Sequence, residues 1–136
     1  MNRLVVLCCL LLPIHSYSQS VFVERVISVY DADTFRVDIN GWPDIIGKNM
    51  SIRVNGVDAA EIRGKCESEK VQAKAARDFT RSLLSNSKDI ELRDLKRGKY
   101  FRLIADVYID GESLTDKLIT SGHARPYEGG HRGGWC

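Results

Sequence analysis

Residues 21–41 read VFVERVISVYDADTFRVDING, and they contain two strand patterns joined by a short acidic turn. Residues 21–30 are rich in β-branched and aromatic side chains, which favour strands. In residues 34–39 apolar and polar side chains alternate, as in a strand with one buried face. Asn40-Gly41 follows as a hairpin turn signal. We therefore predict that the domain begins with two successive strands.

Two further patterns follow these strands. Residues 50–57 alternate again, so the first three strands suggest an antiparallel meander. Between residues 66 and 86 the period changes to that of an amphipathic helix. The apolar positions of this predicted helix are Val71, Ala75, Phe79 and Leu83, with Ala76 and Leu84 beside them.

The second half of the chain returns to strand patterns. Residues 89–95 and 100–109 are predicted strands, and residues 113–120 are a predicted short helix. The inward face of the strand at 100–109 is predicted to be Phe101, Leu103, Ala105, Val107 and Ile109. This order suits a mainly β or α+β fold, a five-stranded OB-type barrel with flanking helices. Periodicity alone does not separate it from a flat α+β sheet with one helical layer.

The composition is that of a folded protein with a single domain. The chain has 136 residues, of which 43% are hydrophobic and 28% charged, and a chain of this length usually forms one core. The 20 Lys and Arg residues nearly balance the 18 Asp and Glu residues, for a net charge of +2. This balance excludes a protein that is held to nucleic acid by bulk charge alone.

The first 18 residues have the pattern of a secretory signal peptide. Arg3 provides a positive start, and the apolar run at residues 4–14 is about half as long as a membrane span needs. Ser16 and Ser18 are small residues at the positions that a signal peptidase reads. We predict a signal peptide of residues 1–18, a mature domain of residues 19–136 without a membrane anchor, and a periplasmic or secreted location.

Two cysteines remain after removal of the predicted signal peptide. In an oxidising compartment, Cys66 and Cys136 are expected to form a disulfide that tethers the C-terminal residues. The alternative is a metal site formed by Cys66, His131 and Cys136, which lacks the CxxC pair typical of such sites.

Three carboxylates lie close to predicted strand ends. Asp33 has the same parity as the core-facing residues after it, so a buried Asp33 would need a cation or strong hydrogen-bond donors. Asp58 and Glu61 follow the third strand. Each acid alone is typical of a turn or a solvated loop. If the fold brings them together, the cluster favours a hard cation, because Ca²⁺ and Mg²⁺ take oxygen ligands.

Two arginines occur in predicted strands. Arg53 precedes Asp58 by five residues, and Arg102 stands among apolar residues. Strand arginines usually point to solvent. Opposite a metal bound to carboxylates, however, two guanidinium groups would neutralise the charge that develops in a phosphodiester transition state.

Four short motifs occur in order along nearly the whole mature chain: YDADT at 30–34, Arg53 with VDAAE at 57–61, KYFR at 99–102 and YIDG at 108–111. Together they resemble the thermonuclease family, the staphylococcal nuclease-like proteins. Residues 131–136 and Cys66 are similar to the Gram-negative secreted branch of that family.

The resemblance implies an OB-type barrel and Ca²⁺-dependent cleavage of DNA and RNA that leaves 3′-phosphates. Asp33 and Asp58 would bind Ca²⁺ through their carboxylates, and Ala59 would bind it through its backbone carbonyl. Glu61 would position or activate the attacking water. Arg53 would hold the phosphate from the ground state to the transition state.

The remaining implied role concerns the leaving group, since Arg102 would meet the charge on the departing 5′ oxygen. From residue chemistry alone, Lys99 and Tyr100 are candidate contacts to phosphates and base faces, although such residues are also typical of ordinary packing or surface. Ala32 and Ala60 stand where the family commonly has Gly and Pro, and these departures concern rate and preference more than reaction type.

Two other functions fit parts of the sequence. A noncatalytic OB-fold module that binds single-stranded nucleic acid or oligosaccharide would need no cluster of carboxylates. A structural domain held by the disulfide would show no metal dependence. We expect the protein to be a monomer in each case.

Overall fold

The computed structural model describes residues 20–136, so the predicted signal peptide at residues 1–18 lies outside the described residues. The strands in this range are β1 (Ser20–Asp31), β2 (Thr34–Ile39), β3 (Met50–Val54), β4 (Val57–Asp58), β5 (Ile90–Arg97), β6 (Arg102–Ile109), β7 (Glu112–Ser113) and β8 (Arg125–Pro126). The helices are α1 (Asp44–Gly47), α2 (Glu67–Ser85) and α3 (Leu114–Thr120). Within residues 20–136, no helix combines the length and apolarity that a membrane crossing requires.

A parallel pairing of β3 with β6 closes five of these strands into a barrel. The strands β1, β2 and β3 form the predicted antiparallel meander, and β1 also pairs with β5, which pairs with β6. In the closing pair Ile52 lies opposite Leu103. The predicted OB-type barrel is confirmed. The flat α+β sheet is wrong, because such a sheet would not pair β3 with β6.

The barrel interior is filled by alternate side chains of its strands. The largest fully buried side chains of these strands are Phe35, Val37, Ile39, Ile52, Val54, Leu92 and Val107. In β2 the alternation of apolar and polar residues predicted the observed bounds, although the polar Asp38 is buried as well. The apolar core therefore occupies the centre of the barrel and leaves polar chemistry to its outer face and its ends.

The helix α2 packs on the barrel with a face that matches the predicted one only in its C-terminal half, where Ala76 and Leu84 are buried and Phe79 and Leu83 pack against the core. Val71 and Ala75 are exposed, although their spacing predicted them to be buried. The buried positions are Glu69, Ala73, Ala76, Thr80 and Leu84. Two of these residues are polar, so the hydrophobic repeat marked only the C-terminal part of the buried face. The Thr80 hydroxyl donates to the Ala32 carbonyl at 2.8 Å and thereby ties α2 to the β1–β2 turn.

The turn between β5 and β6 also differs from the prediction. Tyr100 and Phe101 have φ values of 57° and 54°, so they form a turn and β6 begins at Arg102. Phe101 is exposed as a result, and its prediction as an inward residue was wrong. The other residues predicted to face inward on this strand are buried: Leu103, Ala105, Val107 and Ile109.

A buried carboxylate holds the connection between β2 and β3. Asp38 accepts a hydrogen bond from the backbone N–H of Asn49 at 2.8 Å and an ion-paired hydrogen bond from Arg25 at 2.8 Å. The bond from Asn49, followed by the bond and charge of Arg25, lowers the pKa of Asp38 below its ordinary value of 3.8. The ionised carboxylate therefore stabilises the folded state.

We expect the variant Asp38→Asn to be less stable than the wild type near neutral pH. The stabilisation by ionised Asp38 is fully present above the unfolded pKa of 3.8 and is lost as the pH falls through the lowered folded pKa. The deficit of the variant in urea unfolding should therefore shrink as the pH is lowered from about 7 to about 3. The exposed Asp44, changed to Asn, is the matched control. A deficit that is constant over this range would contradict the assignment.

Candidate active site

Asp33 lies in the turn between β1 and β2 and is buried, with 3% of its surface exposed. Its carboxylate accepts hydrogen bonds from the backbone N–H of Ala59 at 3.1 Å and from the Thr34 hydroxyl at 3.0 Å. It also forms an ion pair with Arg53. These partners allow the charged carboxylate to be buried, because an isolated buried charge is strongly unfavourable.

Arg53 and Arg102 lie on the outer face of the barrel, on strands that pair with each other. Both occupy partly exposed positions in the alternating burial pattern of β3 and β6. The register pairs Ser51 with Arg102 and Arg53 with Ile104, so the two arginines are diagonal neighbours. Arg53 also donates to the Val57 carbonyl at 3.0 Å, which fixes its guanidinium group between two strands.

Arg102 carries a polar atom with an unused hydrogen-bonding capacity. Its Nε atom is buried and has no hydrogen-bond partner in the part of the chain that the structure describes. An unpartnered buried donor is unfavourable, and polar groups of this kind are usually completed by a ligand or solvent. Arg102 is therefore available to an anionic acceptor.

A second acidic segment follows β3 and joins the first one. Asp58 belongs to β4, which pairs with β8 so that Asp58 lies opposite Arg125. Only 3% of Asp58 is exposed, whereas the Glu61 side chain, in the loop that follows, is 46% exposed. Since the N–H of Ala59 donates to Asp33, the two acidic segments meet at one end of the barrel.

C-terminal residues contact both acids of this segment. The Arg132 Nε atom donates to Asp58 Oδ1 at 2.5 Å, and its Nη1 atom donates to Glu61 Oε1 at 2.6 Å. The Trp135 indole N–H donates to Asp58 Oδ2 at 3.1 Å. Sequence reasoning missed both residues, because 74 positions separate Arg132 from Asp58 and no local pattern connects them.

Asp31 is a fourth acid of the site that the sequence indicated only as a turn residue. It is buried and accepts a hydrogen bond from the backbone N–H of Ile62 at 2.9 Å. Burial raises the pKa of Asp31, and the charges of Asp33 and Glu61 raise it further, against the lowering effects of the Ile62 bond and Arg53. Asp31 thus adds a further buried carboxylate to this end of the barrel, and a cation near it would favour its ionised form.

The predicted acids are joined by arginines rather than gathered into one tight group of ligand atoms. Among residues 20–136, the group of three cysteine, histidine or carboxylate ligand atoms within 4.8 Å of one another belongs to Cys66, Glu69 and Cys136. The donor chemistry at the barrel end nevertheless fits a hard divalent cation, since buried carboxylates and a backbone carbonyl are the oxygen ligands that Ca²⁺ prefers.

Comparison with known proteins assigns the family. Residues 51–132 match the family model described as Staphylococcal nuclease homologue. The chain belongs to this family. One curated relative, a thermonuclease of Staphylococcus hyicus, is 33% identical over 102 residues, which cover 74% of this chain and 57% of the relative. The resemblance to the thermonuclease family is confirmed, and the match spans little more than half the length of that relative.

A cleft of about 460 Å³ lies beside Arg53 in this nuclease homologue. Its lining includes Lys96, Ile104 and Tyr127 as well as the segment from Val54 to Val57. Cations and an aromatic ring in one cleft are the combination that binds the phosphates and base faces of single strands. The cleft also includes the acid Glu128, so its lining is of mixed charge next to the buried acids.

Lys99 and Tyr100, the predicted substrate contacts, lie at the turn between β5 and β6. Both are exposed, and neither belongs to the described lining of the cleft beside Arg53. On the same turn, the Arg97 guanidinium stacks 4.8 Å from the centre of the Phe101 ring. The turn presents aromatic and cationic groups to solvent next to Arg102.

The predicted disulfide joins Cys66 to Cys136, with a Cα–Cα distance of 6.0 Å. The alternative metal site with His131 is wrong, because the two sulfur atoms are bonded to each other and the nearby carboxylate belongs to Glu69. Cys66 is also the N-cap of α2, where its sulfur accepts a hydrogen bond from the Glu69 N–H at 3.4 Å.

We expect the double variant Cys66→Ser, Cys136→Ser to lose about 4 kcal/mol of stability, since the bridge spans 70 positions and constrains the unfolded chain. Urea unfolding of the wild type in dithiothreitol should reproduce this loss, whereas the reductant should leave the double variant unchanged. A wild type equally stable with and without reductant would show that the bridge contributes nothing.

Proposed function

We propose that the protein is a calcium-dependent nuclease that hydrolyses phosphodiester bonds of DNA and RNA and leaves 3′-phosphates. Family membership and the thermonuclease relative support a nuclease. The observation that carries the proposal is the position of Arg53 and Arg102 on paired strands beside the buried acids of the barrel end. Arginines next to carboxylates that can hold a cation suit the neutralisation of the negative charge in a phosphodiester transition state.

Asp33, Asp58 and Ala59 would hold the Ca²⁺ ion. The two carboxylates and the backbone carbonyl of Ala59 are oxygen donors, and they leave room in a shell of six to eight ligands for water and a phosphate oxygen. The ion, when bound, supplies Lewis-acid activation of the phosphate. The buried Asp31 beside these residues supports this assignment, since its carboxylate adds a negative charge that a cation would offset.

Glu61 is the group that accepts the proton of the attacking water. Its side chain is half exposed, so solvent reaches its carboxylate, and an ionised carboxylate can act as a general base. The water oxygen forms a bond to phosphorus while the bond from phosphorus to the 5′ oxygen breaks. The 5′ oxygen leaves with the electron pair of that bond and takes up a proton from solvent, so the products are a 3′-phosphate and a 5′-hydroxyl.

The two arginines stabilise negative charge on the phosphate during this displacement. Arg53 is fixed by Asp33 and by the Val57 carbonyl, so its guanidinium is preorganised to bind a nonbridging phosphate oxygen. The unpartnered Nε atom of Arg102 can donate to the oxygen that leaves or to the charge that develops around phosphorus. This hydrogen bond in the transition state then offsets the unfavourable burial of the donor.

Both DNA and RNA fit the recognition chemistry of the barrel surface. The cleft beside Arg53 offers Lys96 to phosphates and Tyr127 to base faces, and neither contact depends on base identity. Lys99 and Tyr100 extend this surface at the β5–β6 turn. Stacking and phosphate contacts of this type favour single-stranded or locally opened substrates of either sugar.

We further propose that the protein acts outside the cytoplasm. The disulfide between Cys66 and Cys136 is typical of oxidising compartments. Residues 1–18 would serve as the signal peptide, and residues 19–136 would form the mature nuclease. This domain would work as a monomer in the periplasm or as a secreted protein.

We expect Glu61→Gln and Arg102→Ala each to lower the rate of plasmid and RNA cleavage by roughly 10²- to 10³-fold, because each removes one preorganised group of the reaction. The wild type should need Ca²⁺ and lose activity in chelator. Labelling of product ends by polynucleotide kinase, without prior phosphatase treatment, should show 5′-hydroxyl groups.

The exposed Glu67 and Arg81 on α2, changed to Gln and Ala, are matched controls and should keep wild-type activity. If the wild type and all variants bind oligonucleotides but are equally inert in every metal, the noncatalytic OB-fold module is the correct function.

A further inference from the structure

Residues 128–136, here called the C-terminal tail, lie over the acidic end of the barrel and are anchored there. The disulfide ties Cys136 to Cys66 at the start of α2. Gln72 on α2 donates to the Trp135 carbonyl at 3.0 Å. The tail is therefore held against the helix next to the loop that carries Glu61.

A second set of contacts fixes the tail from the β8 side. The Arg125 guanidinium stacks 3.8 Å from the centre of the Trp135 ring and donates to the Gly134 carbonyl at 2.8 Å. The Tyr127 hydroxyl donates to the Gly130 carbonyl at 2.8 Å. These contacts use side chains of different elements, so the tail has a defined position on the barrel.

This position brings a cation onto the acids proposed for the metal and the water. Arg132 bonds to Asp58 Oδ1 and to Glu61 Oε1, while Trp135 bonds to Asp58 Oδ2. Both carboxylate oxygens of Asp58 are thus engaged by the tail. The same guanidinium neutralises the proposed general base.

We propose that the tail is a built-in competitor for the divalent cation, with Arg132 bonded to Asp58 and Glu61 in the cation-free protein and displaced when calcium binds. This inference rests on the proposed function, because it takes Asp58 as a calcium ligand. It predicts that the tail sets the calcium concentration at which the enzyme becomes active.

Electrostatics supports exchange rather than joint occupancy. A guanidinium group bonded to a carboxylate lies within a few ångströms of any ion on that carboxylate, and like charges at this distance repel strongly where solvent is limited. Asp58 is buried, so this repulsion is weakly screened. Meanwhile the crowded acids need a positive charge in the absence of calcium, which Arg132 provides.

The tether makes a single arginine an effective competitor. Because the disulfide keeps Arg132 near its partners, rebinding is intramolecular and does not depend on protein concentration. Arg132 remains 40% exposed, whereas Arg53 on β3 is only 14% exposed. The tail arginine can thus leave its carboxylates for solvent without disturbing the barrel.

The test is calcium titration of the full mature protein by calorimetry, without nucleic acid. Arg132→Gln should bind Ca²⁺ about 10-fold more tightly than the wild type, since a hydrogen bond to a charged group is worth about this factor in an equilibrium constant. Arg132→Lys keeps the charge but loses the fork that bridges two carboxylates, so its affinity should fall between them.

Arg63 provides the matched control. It is exposed, lies two residues from Glu61 and carries the same charge. Arg63→Gln should bind Ca²⁺ as the wild type does, which would separate the contact made by Arg132 from a general change of charge. An equal gain of affinity in Arg63→Gln would overturn the proposal.

Tryptophan fluorescence gives a second readout that does not depend on affinity. The chain contains two tryptophans, Trp42 and Trp135, and the Trp135 indole loses its bond to Asp58 if the tail is displaced. Calcium should change the emission of the wild type, and this change should be absent in Trp135→Phe. A wild type that binds calcium without any change attributable to Trp135 would contradict displacement.

The outcomes separate this inference from the proposed function. If Arg132→Gln binds calcium no more tightly than the wild type, Arg132 does not compete and the inference alone fails. If neither protein binds calcium by calorimetry, the proposed metal site fails and the inference falls with it.

Discussion

The parallel pairing of β3 with β6 is the constraint on which the candidate site depends. It closes the barrel and removes the two edges that the sheet would otherwise expose. It also sets the outward positions of both strands on one continuous surface. Arg53 and Arg102 are neighbours only through this pairing, since without it they would lie at opposite edges of an open sheet.

Three acids, Asp31, Asp33 and Asp58, are buried at one end of this barrel, where they need positive charge. The barrel itself supplies Arg53 to Asp33, and the C-terminal tail supplies Arg132 to Asp58 and Glu61. The two cations differ in exposure, because Arg53 is held by Asp33 and the Val57 carbonyl whereas Arg132 is more open to solvent. The enclosed cation suits the proposed role in the reaction, and the exposed, tethered one suits the proposed exchange.

Sequence patterns predicted the elements whose two faces differ clearly in polarity. The strand β2 was predicted with its observed bounds because its buried side chains are apolar, apart from Asp38. The face of α2 was predicted only in part, since Glu69 and Thr80 are buried there for their hydrogen bonds while Val71 is exposed. Phe101 was misplaced because the positive φ of the turn is a backbone property that hydrophobic alternation does not encode.

The catalytic candidates were found from motifs, but the tail contacts required the fold. Pairing of Cys66 with Cys136 could be predicted from the number of cysteines. The effect of this bridge on the position of Arg132 follows from chain geometry. Cys66 lies five residues after Glu61, and four residues of extended chain reach at most about 14 Å from Cys136 back to Arg132. A bridge at this point therefore confines Arg132 to the neighbourhood of the Glu61 loop. The atoms that Arg132 contacts there depend on the burial of Asp58. This burial is a tertiary property that cannot be read from the sequence.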